Sequence, residues 1–555
     1  MEKPKSKTHF DFIGIGKTLY NSSCAYFDGI DLQVILTERL NKQKYSGEWP
    51  WRALEELNAN KEHYTIAENR DVISADNFEN ALNRYSPFNQ FLSSKGLEQF
   101  LSSDKTYSLS HHYTHALSSL IFSNVGDAII CVMDGAGSCS EDFKKLTCLD
   151  SERKFLRNEK NYEGISIYHY SNNQLECLHK EFFEFYKLGH TKKVVNNCPG
   201  MLFEYASEVI FGNKHDAGKV MGLAAFGKAK EYETIEDLIK SIEWERSFKG
   251  SGKVEWESSE HLDYYKELAA SVQRILELRY LKLLDSYSSY SSNLILAGGA
   301  AMNCVSNMNL SRNSAFKKVL VSPCPGDEGI SLGLIQYLHF LKNEEVLKCK
   351  SPYLGKKNRE LNVEEVFSSF NVEKLNNKLI ERASEELING KVIGWFQGRS
   401  EIGARALGNR SILSRVDKVG LKSYLNEMIK FREEFRPYAC SCLQEFGTKY
   451  FEVDDEFESP YMSFTIPIRE SYKNQFKEVC HIDGTSRAQF VTRDINPLYY
   501  DLIKKVGEQT GVYALLNTSL NVMGQPIVED LMDLLKFFKS SNVDGLFIGD
   551  YFVTK

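Results

Sequence analysis

The fold this sequence predicts is α/β, in two units joined by a charged connection, and three observations carry the expectation. Between residues 1 and 350, apolar strand patterns alternate with helical ones. Two of those strands run into glycine-rich loops, at 134–138 and 297–303, as a duplicated α/β domain would show. Beyond residues 343–375, which are charged and broken by Pro and Gly as a connection would be, a new apolar strand (Val392–Phe396) opens into a basic loop. The expected units are therefore 1–350 and 376–555.

At 555 residues the chain is too long for one core, and 42% hydrophobic with 26% charged residues is ordinary for a globular protein. The formal net charge of -7 argues against a general nucleic-acid binder, which needs a basic face to release counterions. No apolar run is long enough to span a bilayer. The 12 cysteines are scattered without metal-type pairs, as reduced cytosolic thiols would be.

Taken in order, the charged N-terminal residues lead directly into a strand at Phe10–Ile15, with no apolar leader core. Cys24–Phe27, Asp28-Gly29 and Leu32–Leu36 read as a hairpin with a D-G turn. Residues 40–105 are polar, aromatic and helical in flavour, and WPWRALEELNAN (49–60) suits a helix that starts at Pro50 and packs its aromatics. In SLSHHYTHALSSLIF, His111 and His115 stand four apart and share one helix face. The apolar run Ala128–Met133 fits a buried strand and ends in Asp134-Gly135-Ala136-Gly137-Ser138, a carboxylate followed by small residues that suits a metal or phosphate loop.

A helix is expected over 199–212, opened by Pro199 and closed by Gly212. Next, Gly218-Lys219 and Gly222 offer a positive charge and bare backbone to a nucleotide, a weak signal alone. After a long helix (Tyr264–Leu284) the strand Leu294–Leu296 enters AGGAAMN. There Gly298, Gly299 and Asn303 suit either phosphate and ribose or a close helix-strand contact. The strand Val319–Ser322 leads to Asp327, just before another helix. With His111, His115 and Asp134 it makes a two-imidazole, two-carboxylate set that suits iron, manganese or zinc, and spacing does not choose among them.

The stretch Gly394–Tyr438 holds nine Lys/Arg against five Asp/Glu, so the other residues together sit near -11 (-7 minus 4). Arg399, Arg405, Arg410, Lys430, Arg432 and Arg436 lie among Gly, Asn (including Asn409) and Ser, a composition suited to an anion pocket. HIDGTSRAQFV contributes His481 and Arg487. Past a helix at Leu498–Thr510, the strand Val512–Leu516 runs into a row of donors that includes Asn517 and Ser519.

GWFQGRSEIGARALGNRSIL, followed by K-x-RExFRP, closely resembles the NodU/CmcH family of O-carbamoyltransferases, and HHYTHA, MDGAGS, GKVMGLA, LAGGAAMNC and PGDEG extend the resemblance through the first half. The resemblance implies an actin/sugar-kinase-like (ASKHA) duplicated domain fused to an α+β YrdC-like domain. It implies that His111, His115, Asp134 and Asp327 hold a metal, iron by analogy. It further implies that ATP, with Mg accompanying it, and carbamoyl phosphate become carbamoyl-adenylate at Arg405, Asn409, Arg410, Lys430, Arg432, Arg436, His481, Arg487, Asn517 and Ser519, and that Gly298, Gly299 and Asn303 serve a nucleotide. The carbamoyl group would pass to a hydroxyl of a sugar or small natural product. Three positions depart from the family: Tyr20 stands in place of a His, and Ala404 and Cys440 in place of Pro. A tyrosine with a pKa of about 10 is a poor base at neutral pH. His112, facing away from the proposed ligands, is therefore the expected base, and Tyr20 and Lys219 complete the catalytic set. Threonylcarbamoyl transfer to tRNA is an alternative weakened by the acidic balance. A nucleotide-binding regulatory protein without catalysis is another. The expectation includes a cytoplasmic location, a homodimer, and neither nucleic acid nor membrane as partner.

Overall fold

Two five-stranded sheets in the first half repeat one pattern. The first comprises β1 (Asp11–Lys17), β2 (Ser22–Phe27), β3 (Leu32–Leu36), β4 (Tyr64–Arg70) and β5 (Thr106–Ser108), in the order β3-β2-β1-β4-β5. β1, β2 and β3 pair antiparallel, while β4 joins β1 and β5 joins β4 in parallel. The second comprises β6 (Asp127–Met133), β7 (Tyr162–Ser171), β8 (Gln174–Phe183), β11 (Asn293–Ala297) and β12 (Lys318–Val321), with a two-stranded ribbon of β9 (Tyr186–Lys187) and β10 (Val194–Val195) between. Its order, β8-β7-β6-β11-β12, and its strand directions match the first strand for strand. The duplication expected from the sequence is thus present. The computed structural model describes residues 11–18, 21–57, 64–70, 106–156, 160–189, 191–250, 255–343, 345–356 and 362–555. Tyr20 and most of the 40–105 segment lie outside them.

Each half ends in a helix that packs on the sheet of the other. His111–Ile121 follows β5 yet lies against β6, β7 and β11, whereas Ile330–Asn343 follows β12 and lies against β1, β2 and β4. The two helices also pack on each other, and a Cβ on Gly333 would meet the Thr114 carbonyl oxygen at 2.0 Å. Only glycine allows that approach. Wholly buried apolar residues on both faces of β6 explain its unbroken apolar run.

Between β10 and β11 the chain forms a helical layer from Pro199–Phe211, Ala217–Ala224 and Leu262–Leu284. Pro199 opens the first as its first helical residue and Gly212 caps its end at φ 67°, as expected. The layer has its own core, around Leu202, Val209, Leu238, Trp256 and Leu268.

A nine-stranded sheet makes up the second unit. Its strands are β13 (Asn371–Lys374), β14 (Ile393–Phe396), β15 (Arg410–Arg415), β16 (Ala439–Leu443), β17 (Thr465–Pro467), β18 (Thr485–Val491), β19 (Ala514–Ser519), β20 (Gly545–Ile548) and β21 (Tyr551–Thr554), in the order β13-β21-β20-β14-β15-β19-β16-β18-β17. Only β14 with β20 and β16 with β18 pair in parallel. β13 comes from within the stretch read as the connection. Cys440, one of the departures from the family, is wholly buried in β16, and Ala404 lies exposed in a loop.

Several contacts fasten the units, among them an aromatic ring and two arginines. Phe435, from the basic stretch, enters the helical layer, 6.5 Å from the Phe211 ring and 5.4 Å from Trp256. Arg39 pairs with Glu529 at 3.2 Å and donates to the Gly403 carbonyl. Arg399 holds Asp31 at 2.9 Å and the carbonyls of Leu32, Leu354 and Gly355. Replacing Phe435 by Ala should lower unfolding free energy by about 3 kcal/mol, the scale of an emptied aromatic site, as read by urea denaturation. A loss below about 1 kcal/mol would show that this ring is not an anchor.

Candidate functional site

The crossed helices bring four polar side chains from three chain segments to one point. His111 and His115 lie on one face of their helix, with Nε2 atoms 3.0 Å apart. Asp134, at the end of β6, places Oδ2 3.3 Å from His111 Nε2 and 3.1 Å from His115 Nε2. Asp327, before the Ile330 helix, sets Oδ1 3.5 Å from both. The four ligand atoms lie within 4.8 Å of one another. The outer carboxylate oxygens are used elsewhere: Asp134 Oδ1 accepts from the Gly135 N–H at 2.7 Å and Asp327 Oδ2 from the Thr18 hydroxyl at 2.7 Å.

Both carboxyls are held far below their usual range, because the imidazoles outweigh burial. Burial opposes protonation of His115, but its bonds to both aspartates win and raise it. Two carboxylates beside two buried imidazoles form an N/O donor set that fits a divalent transition metal.

His112 points away from this cluster, as expected, but its ring is wholly buried, with Nδ1 2.8 Å from Ser166 Oγ. Burial, and then Lys180, push its pKa well below the usual value. An enclosed imidazole has no approach for an acceptor proton, so the expectation that His112 is a free base is corrected. Glu328, beside Asp327, escaped the sequence reading. It is buried and pushed up to about 7 by burial, with Oε1 lacking a hydrogen-bond partner among the described residues.

The glycine loop touches everything of interest. Gly298 sits at φ 84°, where a Cβ would lie 2.3 Å from the Met133 carbonyl oxygen, and a Cβ on Gly299 would lie 3.1 Å from Asp134 Oδ1. Close approach to the β6 backbone thus accounts for Gly298, while Gly299 lies against the Asp134 carboxylate. Asn303 accepts from the Ser306 N–H as a helix cap and donates to Gln273 at 2.8 Å.

In the second unit the basic residues divide into two groups. Lys430, Arg432, Arg436, Arg405 and Arg487 converge. Burial, followed by repulsion from Arg405, pushes Arg487 down to about 9, with Arg432 and Arg436 adding to it. Burial and then Arg432 and Arg436 hold Lys430 well below the usual lysine value. Lys430 donates to Ser519 and Asn521, at 2.7 Å to the Ser519 carbonyl and 2.6 Å to Asn521 Oδ1, and among the described residues no carboxylate pairs with it. Arg432 lies 3.9 Å over the Tyr438 ring. A cluster of mutually repelling cations is a site for a polyanion.

Arg410 belongs to the other group. It is wholly buried, donates to the carbonyls of Gln397, Gly398 and Asn409, and lies 3.7 Å over the Phe396 ring. The reading of Arg410 as an anion ligand is corrected: its donors hold the loop that carries Arg405. Asn409 and Asn517 are likewise engaged, Asn409 with the Arg399 carbonyl and Asn496, Asn517 with Ser441 and the Ala406 carbonyl. Glu401 orders the same loop by accepting from the N–H groups of Leu407 and Arg410. Lys219 bonds Glu433 at 2.6 Å and Asp216 at 3.0 Å, which makes it a tie between the units rather than a free catalytic amine.

A cavity of about 290 Å³ lies between the units. Gly222, Gln273 and Glu277 line it from the helical layer, and His481 and Arg487 from β18 and its preceding turn. ATP is the polyanion that the family resemblance implies, and Arg487→Ala should weaken its binding by about 1.5–3 kcal/mol in calorimetry, the worth of a charge-assisted contact. Arg410→Met should instead lower stability, by about 3 kcal/mol for several orphaned acceptors. Lost ATP affinity in Arg410→Met at unchanged stability would return Arg410 to the ligand.

Comparison with known proteins accords with this geometry. Residues 60–335 match the family model "Carbamoyltransferase N-terminus" and residues 384–555 match "Carbamoyltransferase C-terminus". Nodulation protein NolNO of Sinorhizobium fredii is 29% identical, over 99% of this chain and 81% of that protein. Nodulation protein NolO of Bradyrhizobium diazoefficiens is 30% identical, over 65% of this chain and 69% of that one. The 3'-hydroxymethylcephem-O-carbamoyltransferase of Amycolatopsis lactamdurans is 30% identical, over 60% and 64%. An N-terminal unit with an N/O donor cluster, a C-terminal unit with a cation cluster and both family models in register make one statement: the chain belongs to the carbamoyltransferase family and is an enzyme.

Proposed function

We propose that the protein transfers a carbamoyl group to a hydroxyl of a sugar or small natural product, using ATP and carbamoyl phosphate. The observation that carries this reading is the loop 298–303, which joins the parts such a reaction needs. Gly299 lies on Asp134, the Met302 carbonyl accepts from Arg405 at 3.5 Å, and Asn303 bonds Gln273 in the cavity wall.

For the atoms to balance, water cleaves carbamoyl phosphate to carbamate and inorganic phosphate, and a carbamate oxygen displaces pyrophosphate from the α-phosphorus of ATP. The product is carbamoyl-adenylate. Arg405, Lys430, Arg432, Arg436 and Arg487 neutralise the phosphate charge in that step, in a partly buried cleft where each charge is weakly screened. Ser519 and Asn521 hold the Lys430 ammonium in place through its bonds to them. The acceptor hydroxyl then attacks the carbamoyl carbon and AMP leaves with its electron pair. His111, His115, Asp134 and Asp327 would hold a transition metal, iron by the family resemblance, whose chemistry when bound is Lewis-acid polarisation of oxygen.

In this reading residues 1–350 form an ASKHA-type domain and 376–555 a YrdC-like one; the two matching sheets support the first assignment. No described helix is long and apolar enough to cross a membrane, and cytoplasmic ATP suits the reaction. Incubating the protein with ATP and carbamoyl phosphate should release pyrophosphate, and a panel of hydroxyl acceptors should yield a carbamoyl mass increment. His111→Ala should keep the pyrophosphate release while losing bound metal and transfer. Pyrophosphate at background level in the unaltered protein would overturn the adenylate reading.

A further inference from the structure

Behind the proposed metal ligands lies a buried ionic cluster that the reaction does not use. Lys180 on β8 is paired with Glu163 on β7 and, at 2.8 Å, with Glu152, and all three side chains are shut off from solvent. Tyr168 donates to the same Glu152 oxygen at 2.8 Å. Taking three charges out of water is costly, and hydrophobic replacements often serve stability as well or better. The hydrogen bonds of Glu163 indicate what the cluster does.

The helix His111–Ile121 has no side-chain cap of its own: Ser110 is its N-cap residue and makes no capping bond. Its first free N–H groups are satisfied from another part of the chain. His111 N–H donates to Ser138 Oγ at 2.9 Å, and His112 N–H donates to Glu163 Oε2 at 3.3 Å. The same Glu163 oxygen accepts from Ser138 N–H at 2.9 Å. The Glu163 backbone closes the arrangement, since its N–H donates to the Ser138 carbonyl and its carbonyl accepts from Gly137 N–H. One carboxylate therefore joins the start of the helix that carries His111 and His115 to the loop that starts at Asp134. Negative charge there also meets the positive end of the helix dipole.

We infer that Glu163 is a positioning residue for the metal centre: braced by Lys180, it fixes the His111–His115 helix against the Asp134 loop. The inference rests on reading the four-residue cluster as a metal centre. Groups that orient metal ligands commonly contribute 10- to 100-fold to affinity.

The test uses full-length protein stripped by a chelator and titrated with Co²⁺ alone, in competition with a chromophoric chelator and with the Co²⁺ absorption spectrum recorded. Glu163→Gln should bind Co²⁺ about 10- to 100-fold more weakly, with a changed spectrum. Glu152→Gln is the comparison, because it breaks the same Lys180 cluster without touching the helix or the loop. It should lose stability yet keep the affinity and spectrum of the unaltered protein. Ser138→Ala, which removes only the acceptor for His111 N–H, should give a smaller loss and serves where Glu163→Gln fails to fold. Equal affinity in all variants, or equal loss in Glu152→Gln and Glu163→Gln, overturns the positioning role. If Glu163→Gln does not fold, unchanged affinity in Ser138→Ala overturns it. Absence of Co²⁺ binding by the unaltered protein overturns the metal reading itself, and this inference with it.

Discussion

Exchange of the two terminal helices is the constraint on which the rest depends. Each helix packs on the sheet of the other half, the His111–Ile121 helix keeping contact with its own as well, and the pair crosses where Gly333 meets the Thr114 carbonyl. That crossing brings the first half's imidazoles to carboxylates from the second half's strand and from the loop before its helix. Neither half holds more than part of the set. The site exists only when the two repeats are packed together, so folding of the N-terminal unit and assembly of the site are one event.

Electrostatics divide the labour in the C-terminal unit. The stretch Gly394–Tyr438 is basic by four, but its charges do three jobs. Arg399 and Arg410 satisfy buried carbonyls, so they hold the loop and the junction between units. Glu433, from the same stretch, ties Lys219 across the junction. Arg405, Lys430, Arg432 and Arg436 crowd together with Arg487, and among the described residues Arg436 alone of these has an ion pair, with Glu433 at 3.5 Å. Their unfavourable mutual repulsion is maintained by the fold, which is the expected condition of a site that a polyanion will complete.

Some of this was legible in the residues. Spacing of four between His111 and His115 sets one helical face, and an apolar run ending in Asp134 sets a strand-end carboxylate, because both follow from local geometry. Pro199 and Gly212 marked a helix's ends for the same reason. Other readings failed where a side chain's surroundings are set by packing that residue type and spacing do not report, whether its partners are near in the chain, as for Arg410, or distant, as for His112. Arg410 looks like Arg487 in sequence, and nothing local shows that three carbonyls enclose one and cations the other. His112 was expected to have a free ring, since helical phase gives a direction but not what fills the space there.

By itself, then, the sequence determined the α/β class, the duplication, the four residues that come together in the cluster and the family, because these depend on periodicity, spacing and motif. Tertiary structure decided which donors are used within the protein and which face a ligand, and where Glu163 stands beneath the His helix. Several of those outcomes depend on contacts between distant residues, such as Arg39 with Glu529, 490 positions apart, and His112 with Glu163, 51 apart. Packing of separate elements alone fixes such contacts, since chain connectivity places no restraint on which distant groups come to share a buried site.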